Sequence, residues 1–503
     1  MGRVTQILIA NRGEIAVRVI RACRELGIPS VAVFSHADAR SPHVLLADKA
    51  VHIGPAPAAA SYLSMSAVLA AARHSGADAI HPGYGFLSEN AAFARACEAA
   101  GITFIGPPAG VIERLGSKVA ARTLAQRTGV PVVPGATPAD QTNEAIAAAA
   151  RTVGFPLLLK PSAGGGGIGM KTIRDERALV AGIDQARREA IAAFGDGTLY
   201  VERLIERPRH VEIQVLADEH GNVVHLFERE CSIQRRHQKV VEESPSTALT
   251  PDLRRRMGEA AVTLAKAASY RNAGTFEFLL DGRGDAASFY FLEVNTRLQV
   301  EHPVTEQVTS VDLVRAQIAI ARGEPLPWTQ EALTQRGHAI EVRVYAEDPS
   351  AHDLPQAGPL LLYREPSMPG IRIDSGVVEG GDIGVHYDPL VSKLIASGAT
   401  REAARRRAVE ALRQYPVLGI RTNIAFLIEL LEHPKFISGD IDTGFLDSEG
   451  GALRARSAPA PPPAAVEIAQ ALTAAASIET GSAAGAAAAA RSDPWLTLRG
   501  FRG

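Results

Sequence analysis

The pattern of apolar and polar positions at the start of the chain predicts a parallel β-α-β unit. Residues 7–10 and 30–34 are short apolar runs typical of buried strands. Between them, Ile15, Val19, Ile20 and Cys23 recur at helical spacing over residues 14–26, and Gly27 follows as a stop signal. Further strands are predicted from residue 79 and at 102–106. We therefore expect a parallel sheet with helices on its faces.

Two glycine-containing turns follow predicted strands of this sheet. The segment 81–90 is rich in Gly and Pro, and loops at the carboxyl ends of parallel strands often carry ligand contacts. A tight turn would explain Gly83 and Gly85 equally well. The first turn, at Asn11-Arg12-Gly13, lacks the G-x-G-x-x-G pattern, so the sequence does not support a dinucleotide site.

The middle of the chain changes to a period of two, which predicts paired antiparallel strands. Residues 210–216 alternate in polarity, and the turn at Gly221-Asn222 leads into a strand at 223–227. Residues 274–280 and 289–297 form a second predicted pair, joined by a turn at 281–285. A third region has a predicted strand at 338–348 and a helix at 401–413. From about residue 454 an Ala/Pro-rich tail begins, with too little apolar bulk for a domain.

The composition limits the class of protein but does not indicate its chemical activity. A chain of 503 residues exceeds a single core, so about three domains are expected. The net charge of −2 provides no basic field for nucleic acid. No apolar run reaches the roughly 20 residues that span a bilayer. The dispersed Cys23, Cys97 and Cys231 suit a reducing compartment, and the start of the chain does not resemble a signal peptide. We therefore expect a cytoplasmic protein with no nucleic-acid or membrane partner.

A dense group of donor side chains lies in residues 229–243, between two apolar runs. A solvated charged loop would explain a basic run of this kind. The apolar residues on both sides instead favour a buried site for a polyanion, such as a phosphate or a carboxylate. The donors of this stretch are Arg229, Gln234, Arg235, Arg236, His237, Gln238 and Lys239.

A glycine-rich loop follows a predicted strand that ends in Lys160. Five of the six residues from 164 to 169 are glycine, which leaves backbone N–H groups free to approach phosphate oxygens. The loop is not a P-loop, and alone it is a weak signal. The chain has only eight lysines, so a retained lysine can mark a needed point charge. This filter selects Lys118, Lys160 and Lys239, and it favours a nucleotide site.

Two carboxylates and one amide oxygen converge on the second predicted strand pair. Glu293, Asn295 and Arg297 share one face at period two, and Glu277 can lie opposite in the partner strand. Either glutamate alone would suit an exposed edge strand. Together with Asn295 they predict a Mg²⁺ site, because Mg²⁺ takes hard oxygen ligands and shares them with phosphates.

These motifs together resemble biotin carboxylase, the ATP-grasp component of acetyl-CoA and related acyl-CoA carboxylases. The matching segments span residues 4–447 in the order of the family. They are Ile9-Ala10-Asn11-Arg12-Gly13-Glu14-Ile15-Ala16, residues 81–90, the glycine loop, Arg209-His210-Val211-Glu212, residues 234–239 and residues 293–302. The resemblance implies an α/β and α+β architecture. Its parts would be an N-terminal parallel-sheet domain (1–117), an ATP-grasp domain (118–322, lid about 132–204), a C-terminal domain (335–447) and a tail (448–503).

The resemblance also implies roles for individual residues. The residues implied to bind ATP are Lys118, Lys160, Gly165, Gly166, Gly167, Gly169, Glu202, Ile205, His210, Gln234 and His237. Those implied to hold Mg²⁺ or Mn²⁺, as two ions, are Glu277, Glu293 and Asn295. Those implied to bind bicarbonate are Lys239, Arg297, Gln299 and the Val300 amide. Glu301 would deprotonate bicarbonate for attack on the γ-phosphate, forming carboxyphosphate. Arg343 would stabilise the enolate-like oxygen of biotin.

Two departures from the family pattern affect this interpretation. The glycine loop has Ile168 where the family has a basic residue, which would lower the affinity for ATP if that charge contributes. The sequence contains no Ala-Met-Lys-Met biotinylation motif, so biotin is expected on a carrier protein supplied in trans. Tyr387-Asp388-Pro389 and the segment 443–446 look more like acyl-CoA carboxylase α chains. The implied partners are a biotin carboxyl carrier protein, a carboxyltransferase and a second copy of the chain.

Two other functions remain open at this stage. Another ATP-grasp ligase, which forms an acyl-phosphate on a different carboxylate, would share the lysines and the metal set. It would have no need for Arg343 or for the donor-rich stretch 235–239. A non-catalytic subunit of a carboxylase complex would be expected to lose Glu301, Lys239 or a metal ligand, and the sequence retains all of them.

Overall fold

The computed structural model describes residues 4–162, 169–235 and 238–457, together with Glu467 and Gln470. Predictions for Gly165, Gly166, Gly167, Ile168 and His237, and for most of the tail, fall outside the described residues. The unit Met1–Ser457 carries all the elements given below. No helix in its described part is long and apolar enough to cross a membrane.

The chain begins with a five-stranded parallel sheet in the order β3-β2-β1-β4-β5. Its elements are β1 Ile7–Ile9, α1 Gly13–Glu25, β2 Ser30–Ser35, α2 Pro42–Leu46, β3 Lys49–Gly54, α3 Met65–Ser75, β4 Ala79–His81, α4 Ala91–Ala99, β5 Thr103–Phe104 and α5 Ala109–Gly116. All residues of β1 and β4 are buried, as expected for strands covered by helices on both faces. The predicted parallel β-α-β arrangement is confirmed, and Gly27 follows α1 with φ +66°.

A small antiparallel sheet follows, in the order β6-β9-β7-β8. Its elements and the helix before it are α6 Lys118–Arg127, β6 Gly135–Ala136, α7 Asn143–Val153, β7 Leu157–Pro161, β8 Lys171–Ile173, α8 Leu179–Phe194 and β9 Leu199–Arg203. Helices α7 and α8 pack on it through Ile146, Ile183 and other buried residues. Since β7 ends at Pro161 and β8 begins at Lys171, this sheet holds both ends of the glycine loop.

The largest element is an eight-stranded sheet in the order β14-β13-β10-β11-β12-β15-β22-β20. The elements from its first strand to β15 are β10 Arg209–Ala217, β11 Val223–Arg235, β12 Gln238–Ser244, α9 Pro251–Ala267, β13 Asn272–Asp281, β14 Ser288–Asn295, α10 His302–Thr309, α11 Leu313–Ala321 and β15 His338–Tyr345. The donor-rich stretch therefore lies largely within two paired strands, and the interpretation as a solvated loop is wrong. Buried Val240 and Val241 anchor it in the sheet.

The eight-stranded sheet crosses the boundary expected between the second and third regions. Strand β12 pairs with β15 through Val241 and Val342, so both regions contribute strands to one sheet. The remaining elements are β16 Glu347–Asp348, β17 Leu354–Pro355, β18 Gly358–Pro359, β19 Leu362–Tyr363, β20 Ile371–Ser375, β21 Asp382–Ile383, β22 Leu390–Gly398, α12 Arg401–Arg413, β23 Val417–Leu418, α13 Ile424–Leu431, α14 Pro434–Ser438 and α15 Phe445–Arg456. Local periodicity could not reveal this continuity, because strand pairing joins residues about a hundred positions apart.

One predicted strand is shorter than expected. Strand β14 ends at Asn295 instead of Arg297. The Thr296 N–H donates to the Glu89 carboxylate at 2.9 Å instead of to a neighbouring strand. A side chain from the N-terminal region thus satisfies the backbone where the ladder stops. The chain can then turn toward the site at residues 297–301.

Candidate active site

A cavity of about 720 Å³ lies where the three regions meet. The predicted site residues that line it are Lys118, Lys160, Glu202, His210, Gln234, Lys239, Glu277, Glu293, Asn295, Arg297, Gln299, Val300 and Arg343. Glu301 is fully buried and contacts two of these side chains. Ile205 is buried but does not line the cavity. Gly169 has φ +76°, and a Cβ there would lie 2.9 Å from Pro161 Cγ, so glycine is required by the backbone.

Lys239 lies at the centre of a buried group of carboxylates. Its ammonium is 2.6 Å from Glu212 Oε2, 2.6 Å from Glu301 Oε1 and 3.1 Å from Glu277 Oε1. Burial disfavours the charged form, yet these carboxylates hold the pKa of Lys239 well above its usual value. The lysine is therefore a fixed cation that faces three carboxyl groups.

Glu301 lies between two cations. Its Oε1 accepts from Lys239, and its Oε2 accepts from Arg343 Nη2 at 2.9 Å. Burial raises its pKa, but Lys239, Arg343 and Arg229 together hold the pKa of Glu301 well below its usual value. The group is thus an ionised carboxylate that can accept a proton from a ligand bound against it.

Arg343 is oriented by two carboxylates. Its Nε donates to Glu242 Oε1 at 2.7 Å, while Nη2 reaches Glu301. Strand β15 carries Arg343 and strand β12 carries Glu242, so the register of neighbouring strands sets this contact. A guanidinium held at two points keeps its planar fork in one direction.

The lid-side end of the cavity has the charges expected for phosphates. Lys160 Nζ is 2.5 Å from Glu202 Oε2, and Arg122 Nη1 is 2.6 Å from Glu202 Oε1. Lys118, at the start of α6, is 3.4 Å from Glu293 Oε2. Two lysines and a glutamate thus face the same space. Cations in this arrangement can neutralise a polyphosphate while the carboxylates orient them.

The residues predicted to hold Mg²⁺ lie on adjacent strands. Glu277 pairs with Glu293 across β13 and β14, and Thr275 pairs with Asn295. Burial raises the pKa of Glu277, but Lys239 and His210 hold it below its usual range, so its oxygens are ionised. The Glu293 side chain is one-third exposed, and its one ion pair among the described residues is with Lys118. This set of hard oxygens fits a divalent cation that also contacts phosphates.

Arg297 is bound by three side chains at the turn after β14. Its Nε donates to Glu89 at 2.8 Å, and its Nη1 donates to Gln299 Oε1 at 2.8 Å. Its Nη2 also donates to Asn295 Oδ1 at 3.1 Å. Arg297 therefore ties the turn after β14 to the N-terminal region and presents its charge at the edge of the cavity.

Sequence reasoning assigned no role to Glu89, Glu212 and Glu242, which support the site, and it selected Arg229 only as one donor of the predicted anion site. Arg229 is fully buried, and its Nε donates to Glu212 at 2.5 Å while Glu212 also binds Lys239. A signal existed for Glu212, since His210 and Glu212 share a strand face at period two. The same alternation of polar and apolar residues occurs in a strand whose polar face is exposed to solvent. Only the burial seen in the structure distinguishes a buried site residue from an exposed one.

Comparison with known proteins places the chain in a family. Three family models match in sequence: "Biotin carboxylase, N-terminal domain" at residues 3–112, "Carbamoyl-phosphate synthase L chain, ATP binding domain" at 117–329, and "Biotin carboxylase C-terminal domain" at 341–448. The biotin carboxylase of Halalkalibacterium halodurans is 52% identical over 441 residues, which is 88% of this chain and 97% of that protein. The chain belongs to the biotin carboxylase family.

Longer proteins and solved structures show the same similarity. The α subunit of mouse methylcrotonoyl-CoA carboxylase is 48% identical over 446 residues, and the match covers 88% of this biotin carboxylase-family chain but only 62% of that subunit. A Campylobacter jejuni biotin carboxylase complex with β,γ-ATP has a TM-score of 0.85 and 42% identity, covering 89% of this chain and 99% of that one. The biotin carboxylase domain dimer of Hydrogenobacter thermophilus 2-oxoglutarate carboxylase, with MgADP and bicarbonate, has a TM-score of 0.84 and 44% identity, covering 89% and 98%.

Proposed function

We propose that this chain uses ATP and bicarbonate to carboxylate biotin, as the first half-reaction of an acetyl-CoA or acyl-CoA carboxylase. The observation that carries the proposal is the buried pair of contacts on Glu301, with Lys239 at one oxygen and Arg343 at the other. These groups share a cavity with Lys118 and Lys160. A base, an anion site and a phosphate site thus lie within reach of one another.

The first step is phosphoryl transfer to bicarbonate. Lys239, Arg297, Gln299 and the Val300 N–H bind the anion, and Glu301 accepts its proton. A bicarbonate oxygen then forms a bond to the γ-phosphorus as the bond to the bridging oxygen of ADP breaks, which yields carboxyphosphate. Lys118 and Lys160 hold the phosphates in place, as such transfers need positioning and charge neutralisation more than covalent chemistry. Glu277, Glu293 and Asn295 would hold Mg²⁺ or Mn²⁺, which would further neutralise the phosphate charge.

The second step transfers CO₂ to biotin. Carboxyphosphate breaks into CO₂ and phosphate, and the phosphate oxygen takes the proton from biotin N1′. The nitrogen then forms its bond to CO₂, while the Arg343 guanidinium stabilises the negative charge on the ureido oxygen. Closure of the lid over the site keeps water away from carboxyphosphate.

In this mechanism, bound bicarbonate raises the basicity of Glu301. Lys239 and Arg343 both lower the pKa of Glu301. A bound anion shares the charge of Lys239, so less positive charge acts on the carboxylate. Its pKa then rises toward the value that a general base needs. Binding and activation of the base are thereby coupled.

The relatives support the partners that we propose. The Hydrogenobacter thermophilus domain was crystallised as a dimer with bicarbonate and MgADP, and the mouse relative is one subunit of an acyl-CoA carboxylase. By analogy with that dimer, the chain forms a homodimer. It acts on biotin presented by a biotin carboxyl carrier protein, and a carboxyltransferase subunit takes the product. The carboxyltransferase determines which acyl-CoA is carboxylated.

A test separates this function from another ATP-grasp ligase and from a non-catalytic subunit. ADP release is measured with ATP, Mg²⁺ and bicarbonate, with and without free biotin, for the wild type and for Glu301→Gln. We expect biotin to stimulate bicarbonate-dependent turnover and Glu301→Gln to lower it about 10²- to 10⁴-fold, the usual contribution of a general base. Turnover that does not depend on biotin would indicate another ATP-grasp ligase. No turnover with biotin or a biotinylated carrier would favour the non-catalytic subunit.

Glu228→Gln is the matched control for this experiment. Glu228 is also fully buried and also paired with an arginine, since Arg254 donates to it at 2.7–2.9 Å. It does not line the cavity. Its substitution should therefore lower stability and leave turnover per folded molecule unchanged. An equal loss of turnover in both variants would show that Glu301 has no special role.

A further inference from the structure

A fully buried lysine outside the predicted set contacts the turn that carries Glu301. Lys393 lies on β22, and its side chain is 0% exposed. Its ammonium donates to the Val300 carbonyl at 2.7 Å, and it is 3.3 Å from Glu14 and 3.8 Å from Asp374. It is one of only eight lysines in the chain. The residue is thus a cation that binds the backbone next to the proposed base.

The strand register places Lys393 beside Arg343. The two residues are direct partners across β15 and β22, and Asp374 is the partner of Lys393 on β20. These three side chains share one face of the sheet, because directly opposed residues point the same way. Arg343 extends from this face to the Glu301 carboxylate, and Lys393 extends to the peptide just before it.

The surroundings keep Lys393 charged. Burial lowers its pKa, but the carboxylates of Glu14, Glu341 and Asp374 raise the pKa of Lys393 above its usual value. A hydrogen bond from a cation to a carbonyl is stronger than a neutral one. The surrounding carboxylates offset the cost of burying the charge, and among them Asp374, despite its burial, has a pKa lowered by Arg372 and Lys393. The contact with Val300 is therefore a strong restraint on the backbone.

The turn at residues 299–301 is held at two successive peptides. The Gln299 carbonyl is 2.8 Å from His302 Nδ1, and the Val300 carbonyl accepts from Lys393. A trans peptide directs its N–H opposite to its C=O. The first contact therefore orients the Val300 N–H, and the second fixes the peptide plane that carries the Glu301 Cα.

We propose that Lys393 is a positioning residue for bicarbonate, which holds the Val300–Glu301 peptide so that the anion-binding turn and the base keep one geometry. This inference rests on the proposed function. Lys393 does not line the cavity and acts through Val300 and Glu301. Since Glu14 comes from α1, Val300 from the turn before α10, and Lys393 from β22, the contact also requires that all three regions are packed together.

The test compares Lys393→Met with a control that loses an equivalent contact elsewhere. Arg405 is also a buried cation, and its Nη1 donates to the Leu431 carbonyl at 3.1 Å while Glu402 pairs with it. It lies on α12 and does not line the cavity. Both variants are assayed for ADP release, with KM measured separately for bicarbonate and for ATP. KM describes the folded molecules alone, so a smaller folded fraction does not change it.

Lys393→Met should raise KM for bicarbonate about tenfold or more and lower kcat, since a charge-assisted contact to the backbone is lost. KM for ATP should stay within about twofold, and Arg405→Met should change neither KM. If Lys393→Met does not fold, Lys393→Gln, which keeps a neutral donor, is measured instead and should raise the bicarbonate KM in the same selective way.

Two results would overturn the inference. Unchanged KM for bicarbonate, with only a loss of stability like that of Arg405→Met, would make Lys393 purely structural. An equal rise in both KM values would indicate a general distortion of the site. Failure of the proposed function is recognised separately, because the wild type would then show no bicarbonate-dependent turnover, and both proposals would fall together.

Discussion

Replacing Glu243 with glutamine should destabilise the fold and leave the KM values for ATP and bicarbonate unchanged. Glu243 follows Glu242 on β12 but lies on the opposite face of the sheet, away from Arg343. It is 2% exposed, accepts from Arg401 Nε at 2.6 Å and Nη2 at 3.0 Å, and is 2.7 Å from His338 Nε2. Burial raises its pKa, but His338 and Arg401 lower the pKa of Glu243 from 4.5 to about 2.

The size of the effect follows from this pKa. The fall from 4.5 to about 2 corresponds to about 3 kcal/mol at roughly 1.4 kcal/mol per pKa unit. Breaking a buried ion pair typically costs a similar amount. For the unit Met1–Ser457, an unfolding entropy of about 2 cal/mol/K per residue gives about 1 kcal/mol/K. The substitution should therefore lower Tm by about 3 °C at neutral pH.

The pH dependence gives a second check with a definite sign. Because the folded-state pKa of Glu243 is depressed, its ionised form stabilises the fold above the unfolded pKa of 4.5. This stability is lost as the pH falls toward about 2. The difference in Tm between wild type and Glu243→Gln should thus be largest above about pH 5 and should shrink below it.

The assay is differential scanning calorimetry of the wild type, Glu243→Gln and a control from pH 3 to 8. Glu259→Gln is the control, because Glu259 also pairs with an arginine, Arg255, but its side chain is 60% exposed. Exposed pairs contribute little, so its Tm should stay within about 1 °C. The reasoning is refuted if Glu243→Gln has the same Tm as the wild type, if both variants show the same fall in Tm, or if the fall in Tm does not depend on pH.

Two further predictions concern the ligands. Lys160→Met should raise KM for ATP about tenfold or more and leave KM for bicarbonate unchanged, because it removes a buried cation held by Glu202 at the lid side of the cavity. Steady-state kinetics measure both KM values, and a change confined to the KM for bicarbonate would contradict this prediction. Glu293→Gln should raise the Mg²⁺ concentration for half-maximal activity several-fold, since a charged oxygen is lost from the proposed metal ligands. If a Mg²⁺ titration at fixed ATP gives the same curve for the variant and the wild type, Glu293 does not have this role.

Local patterns predicted much of the fold. The β-α-β unit, the helix at 401–413 and the strand pair carrying Glu277 and Glu293 are present in the structure. They were predictable because periodicity and turn residues depend on neighbours within a few positions. The eight-stranded sheet and the end of β14 at Asn295 were not predictable, since both depend on contacts with residues far along the chain.

The candidate site shows the same division. The sequence determined which residue types occur at the site: a lysine before a glycine loop, two glutamates on paired strands, and a dense group of donors. The tertiary structure decided which charges meet. Lys239 is surrounded by Glu212, Glu277 and Glu301, and Lys393 reaches Val300 from 93 positions away. Coulomb energy depends on distance and on exclusion of water, and separation along the chain determines neither.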